Sequence, residues 1–151
     1  MHRNDCVRHP VMPRSGVRAR YSGMQNPANL DVTREAMELA LLTYRATAGF
    51  PASERFELAS QMRRAAVSVG SNIAEGCGRR GNTALGSFLH VALGSASELG
   101  YQTDLATKLG IGDPTELTAL ADQATRVRRM LSRLIASLRG RDDRPRERPR
   151  R

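Results

Sequence analysis

The chain has 151 residues, 24 of them basic and 15 acidic, with 4% aromatic residues and no tryptophan. So few rings, with abundant Ala, Leu and Arg, disfavour a sheet-built domain and point to one helical domain with tails. No run of about 18 apolar residues exists, so no membrane span is expected, and two cysteines, Cys6 and Cys77, make no disulfide framework.

Residues 1–30 carry Pro10, Pro13 and Pro27, five Arg against one Asp, and no apolar periodicity. They are expected to be a disordered basic segment without the apolar stretch of a secretory signal, and the expected location is the cytoplasm. The first helix is predicted from about Thr33 to Ala48. Asp31 or Thr33 would cap it, and Met37, Ala40, Leu41 and Tyr44 recur at helical spacing. Gly49 and Phe50-Pro51 end it.

The second helix is predicted to open at Ser53, a natural N-cap. On a wheel of about 100° per residue, Leu58, Met62, Ala65, Ala66, Val69 and Ile73 share one narrow arc, the pattern of a buried stripe. A polar stripe holds Gln61, Arg64, Ser68, Asn72 and Glu75. Arg64 and Glu75 are roughly 16 Å apart along one helix, so they need partners elsewhere. A structural or subunit-interface role is favoured for this stripe over direct ligand contact.

The third helix is predicted from Asn82 or Thr83 to about Lys108, with Leu85, Phe88, Leu89, Ala92, Ala96 and Leu99 on one face. Gly86, Gly94 and Gly100 each cost roughly 1 kcal/mol relative to Ala, which close approach of a neighbouring helix would offset. The fourth helix starts at Asp113 as N-cap, with Pro114 at the first helical position and Glu116 two residues on. Leu117, Leu120, Ala121, Ala124, Val127, Leu131, Leu134, Ile135 and Leu138 follow at spacings of one, three and four, and Gly140 closes it. Residues 141–151, with Pro145 and Pro149, are expected to be a disordered Arg-rich tail.

Three short connections between four helices predict an all-α, up-down-up-down antiparallel four-helix bundle over residues 31–140. Residues 31–138 hold 12 basic and 11 acidic residues, so the formal charge of +9 sits mainly on the tails. Basic tails suggest polyanion partners, although 23 of the 24 basic residues are Arg, which a biased base composition would also produce.

The stretch Gln61-Met62-Arg63-Arg64-Ala65-Ala66-Val67-Ser68-Val69-Gly70-Ser71-Asn72-Ile73-Ala74-Glu75-Gly76 resembles the signature of the 23S rRNA intervening-sequence proteins. That family includes the accessory variability proteins of diversity-generating retroelements. Phe50-Pro51, Glu54 to Leu58, Phe88-Leu89, Ala92, Gly94-Ser95, Glu98-Leu99 and Leu109-Gly110 fit the same pattern. Gly70 departs from it, standing where the family commonly has Pro. The resemblance implies a four-helix bundle assembled as a homopentamer and, in the retroelement branch, binding to nucleic acid and to a reverse transcriptase.

Other motifs carry less. Gly76, Gly78 and Gly81 spell G-x-G-x-x-G, but the motif follows a helix rather than a strand, so a helix terminus is expected instead of a dinucleotide site. His2, Cys6, His9 and Cys77 have no spacing that would position a metal, and no metal or cofactor is expected. His90 lacks an orienting partner. Glu75 and Glu98 could pair across helices, although hydrogen bonds to Arg or backbone are favoured, and no enzyme is expected. Arg126, Arg129 and Arg133 form a basic ridge on the outer face of the fourth helix, with Asp122 in reach of Arg126. Arg79 and Arg80, at the turn after the second helix, are comparable phosphate contacts. The expected function is a non-enzymatic, homo-oligomeric, nucleic-acid-associated scaffold that grips RNA or DNA through the backbone. The alternative is an adaptor that docks a protein such as a reverse transcriptase.

Overall fold

A computed structural model describes the backbone of residues 27–142 and the side chains of residues 31–139. The predicted tails lie almost entirely outside these limits. Four helices follow in order: α1 (Pro27–Ala48), α2 (Leu58–Gly78), α3 (Asn82–Leu109) and α4 (Pro114–Asp142). Among the described residues there is no strand. Each helix packs on two others, α1 on α2, α2 on α3, α3 on α4 and α4 on α1, with no diagonal contact. The square antiparallel bundle expected from the short connections is present. Four alternating helices bring Pro27 and Asp142 to the same end of the bundle, beside the α2–α3 turn.

Where the helices begin differs from expectation in two places. The first helix starts at Pro27, with proline at the first helical position, where its missing N–H costs nothing. Asp31 and Thr33 are therefore inside α1 rather than capping it, and Asp31 pairs with Arg34 at 3.4 Å. Ser53 does not cap α2. It lies in a separate 3-10 turn, Ala52–Glu54, and α2 begins only at Leu58. Between them Phe56 is the one large apolar side chain and stays 84% exposed, so no burial draws residues 53–57 into the helix. The start of α4 is as predicted: Asp113 Oδ1 accepts the N–H groups of Thr115 (2.9 Å) and Glu116 (3.0 Å).

The core is aliphatic. Leu39, Met62, Ile73, Leu89, Leu99, Leu120 and Leu131 are its largest fully buried side chains, and no described aromatic ring is fully buried. The predicted stripes of α2 and α4 are buried, Leu58 and Ala121 only partly. On α3 the stripe runs from Leu89 through Leu99 and continues to Gln102, Thr103 and Ala106.

The predicted stripe of α1 is on the wrong face. Met37, Leu41 and Tyr44 are 55%, 53% and 49% exposed, while Val32, Ala36, Leu39, Thr43, Ala46 and Thr47 point inward. The two threonines make this possible. Thr43 Oγ1 donates to the Leu39 carbonyl (2.8 Å) and Thr47 Oγ1 to the Thr43 carbonyl (2.7 Å), so each hydroxyl is satisfied by its own helix and presents a methyl to the core.

The glycines also redistribute. A methyl group on Gly86, Gly94 or Gly100 would meet nothing within 4 Å, so no neighbouring helix of this chain approaches there. The close approach is at Gly76, where a methyl would lie 2.9 Å from Phe88 Cβ and 3.1 Å from Leu85 Cδ1. Gly76 and Gly78 are the last turn of α2, and Gly81 turns the chain at φ +94°, so the G-x-G-x-x-G run is a helix terminus. At the opposite end Gly112 (φ +89°) lies under the Phe50 ring, where a methyl would be 2.6 Å from Cε1, and this contact docks the α3–α4 turn onto the end of α1.

Candidate nucleic-acid interface

The basic ridge of α4 is real but unevenly free. Arg126, Arg129 and Arg133 are exposed and line one shallow trough with Asp122, Gln123 and Met130. The ion pair that Arg126 makes is with Glu35 of α1, Nε to Oε2 at 3.3 Å, and not with Asp122. Glu35 sits at the α1–α4 seam, where its side chain is only 13% exposed. Gln123 Nε2 donates to both its carboxylate (2.9 Å) and its backbone carbonyl (3.0 Å). The hydrogen bond from Gln123 lowers the Glu35 pKa. Partial burial opposes this, and the charges of Arg126 and Arg34 add to the lowering. Arg129 and Arg133 have no carboxylate partner among the described residues.

At the α2–α3 turn, Arg79 is bound to Glu75 one helical turn back and lies over the Phe88 ring, 5.8 Å from its centroid. Arg80 beside it is exposed.

The polar stripe of α2 breaks into three local sets. Arg64 donates to Gln61 Oε1 (2.8 Å). Ser68 and Ser95 share a hydrogen bond of 2.9 Å between α2 and α3, and Asn72 donates to the Ser68 carbonyl (2.8 Å) and hydroxyl (3.1 Å). Glu75 takes Arg79. The stripe therefore works largely within the chain, with Ser68 and Asn72 tying α2 to α3. Glu75 and Glu98 do not pair, since Glu98 accepts from Gln102 Nε2 (3.0 Å). Arg139 reaches His90 Nε2 at 3.4 Å. Of the four residues weighed as metal ligands, His2, Cys6 and His9 lie outside the described residues. Cys77 is a half-buried free thiol whose pKa burial raises. Among the described residues no three His, Cys, Asp or Glu side chains converge as metal ligands.

A second basic surface was not visible in the sequence. Where α1 ends and α2 begins, Tyr44, Arg55, Phe56, Ser60, Arg63, Arg64, Val67 and Ser68 line an open cleft of about 680 Å³. Arg63 donates from Nε to Thr47 Oγ1 (2.8 Å) and lies over the Tyr44 ring, 5.0 Å from its centroid. Tyr44 and Arg63 belong to different helices, so no spacing rule links them. Phe56 carried no signal because it sits in the segment mistaken for the first turn of α2.

The fold and the helix α2 signature agree with what other proteins show. The 23S rRNA-intervening sequence protein family matches residues 28–133. This chain belongs to that family. A crystal structure of a protein of unknown function from Bacteroides thetaiotaomicron, assigned to the S23 ribosomal protein family, has the same fold at a TM-score of 0.67. It is 19% identical, and the match covers 72% of this chain and 98% of that one. No curated protein matches this chain. No described helix is long and apolar enough to cross a membrane.

Proposed function

We propose that this family member is a non-enzymatic, homo-oligomeric scaffold that binds RNA or DNA mainly through backbone phosphates in the cytoplasm. The observation that carries this reading is where positive charge collects. The chain enters and leaves the bundle at the end that also bears Arg79 and Arg80. Residues 1–26 hold five Arg and one Asp, and residues 143–151 hold five Arg and two acids. A nearly neutral bundle thus carries its surplus charge at one pole, which favours a polyanion over a small ligand. Arg129 and Arg133 extend the same sign along α4.

Self-association is supported by the outer side of α1 and α2. Met37, Leu41 and Val67 are exposed apolar side chains there, next to Ala40, Gly70 and Ala74. The count of five subunits comes from the family resemblance alone. The polar stripe residues Gln61 and Arg64 border this surface.

The same apolar side supports the second reading, an adaptor that docks a protein such as a reverse transcriptase. One experiment separates the two. RNA and DNA of mixed sequence are titrated into the full chain at several salt concentrations, with particle mass measured by light scattering. The scaffold reading expects a multimer whose affinity falls at least about ten-fold between roughly 50 and 200 mM salt. A monomer, or no binding at low salt, sinks it. Capture of a protein partner that survives high salt favours the adaptor.

A further inference from the structure

We propose that the cleft of Tyr44, Arg55, Phe56, Arg63 and Arg64 is a site for single-stranded nucleic acid, with bases against the two rings and phosphates on the guanidinium groups. This rests on the nucleic-acid reading above and adds the form of the strand and the place where it binds.

The first observation is which arginines are already neutralised. Arg34, Arg45, Arg79 and Arg126 each meet a carboxylate. The three arginines of the cleft meet none among the described residues. Arg63 is bonded to the Thr47 hydroxyl and Arg64 to the Gln61 amide oxygen, both uncharged acceptors. Glu54 and Glu57 flank the cleft in sequence but do not line it. The cleft therefore presents three positive charges within one opening and no negative one.

The second observation is that one of these charges is held in place. Thr47 passes its own proton to the Thr43 carbonyl, so its oxygen is free to accept from Arg63 Nε. The guanidinium is pinned by Nε and by the Tyr44 face, and its two terminal nitrogens remain for a phosphate.

The third observation is the rings. Phe56 is 84% exposed and Tyr44 is 49% exposed. Flat apolar faces beside guanidinium groups suit unpaired bases, which stack on rings regardless of sequence. A duplex keeps its base faces internal and would leave these rings unused. An acidic peptide would satisfy the arginines but offers the rings no flat partner. The opening is wide, and its volume is in the usual range of roughly 300–1,000 Å³ for binding clefts, so it suits a passing strand segment.

The test uses the full chain, a fluorescein-labelled oligouridylate of about 12 nucleotides, and a matched RNA duplex, both followed by anisotropy at low salt. Phe56→Ala removes a ring with little buried contact, so circular dichroism should be unchanged. Single-strand affinity is expected to fall roughly ten-fold or more, with duplex affinity unchanged within about two-fold. Arg55→Ala combined with Arg64→Ala is expected to reduce the single-strand salt slope by about two. Because the chain has no tryptophan, Phe56→Trp supplies its own reporter, and oligouridylate should quench its fluorescence. Unchanged single-strand affinity in Phe56→Ala, with no quenching in Phe56→Trp, overturns the cleft while leaving general nucleic-acid binding intact. Equal losses for strand and duplex overturn it as well. If the parent chain binds neither, the broader reading fails and this one with it. Quenching by polyglutamate but not by the oligonucleotide would assign the cleft to acidic protein segments instead.

Discussion

Helices α1 and α4 lie side by side and both carry a clear apolar stripe in the sequence, yet only one of the two stripes is buried. On α4 the far side is filled with Asp122, Arg126, Arg129 and Arg133, so only one face can turn inward. On α1 the far side holds Met37, Leu41 and Tyr44, which are larger and more apolar than the Ala36, Thr43 and Thr47 that line the core. A helix next to closely packed partners is selected for small inward residues, and threonines whose hydroxyls bond their own helix count as small. The difference teaches that the most apolar face of a helix is the buried one only when the opposite face is charged. Where it is not, the leftover apolar face is a surface in search of a partner.

The sharpest way to break this comparison is to truncate one leucine on each helix. Leu131→Ala should cost about 2–5 kcal/mol in urea unfolding, because Leu131 is fully buried and the site cannot collapse. Leu41→Ala should change the unfolding of the single chain by less than about 0.5 kcal/mol. Its effect should instead be on particle mass. Equal destabilisation by the two substitutions would mean that α1 is turned differently from the structure described.

Glu35 sharpens the comparison at the seam where the two helices meet. Its carboxylate takes Gln123 and Arg126 of α4, and the loss of both in Glu35→Ala should cost about 1–2 kcal/mol at neutral pH. Its folded pKa lies below its ordinary value of 4.5. The stabilisation is therefore complete above the unfolded pKa and lost as pH falls through the lowered folded value. Parent and Glu35→Ala chains should converge in stability on acidification from about pH 5 to pH 2. A gap that stays constant over that range would place the loss in packing rather than in the charge.

The smallest expected effect concerns the threonines of α1. Thr43→Val keeps the shape and removes a hydroxyl that bonds only its own helix. Thermal unfolding should move by an amount equivalent to less than about 1 kcal/mol in either direction. A larger loss would show that the hydroxyl has a role beyond satisfying itself.

The legibility of the sequence follows the same physics. The stripes of α2 and α4, the Asp113 cap and the square topology were readable because each rests on local spacing or a local hydrogen bond. The start of α2 was misread because Ser53-Glu54 looks like a cap, and only the exposure of Phe56 shows that nothing there is buried. The glycines of α3 were credited with a close approach that belongs to Gly76, since the spacing of small residues does not say which neighbour faces them. Of the candidate site, the α4 ridge was visible as periodic charge. The Tyr44–Arg63 contact joins residues of separate helices, and the pairing of Arg126 with Glu35 crosses most of the chain. Such distant partners leave no periodic trace in one sequence.

The shared end at which the chain enters and leaves the bundle has a practical consequence. Tags or fused domains at either terminus would crowd the Arg79–Arg80 pole and leave the Tyr44–Phe56 pole untouched. Joining the ends and opening the chain in the connection before Leu58 would cut no α-helix and sever no core contact. This protein is thus suited to circular permutation, and a permuted chain would carry its free ends beside the cleft.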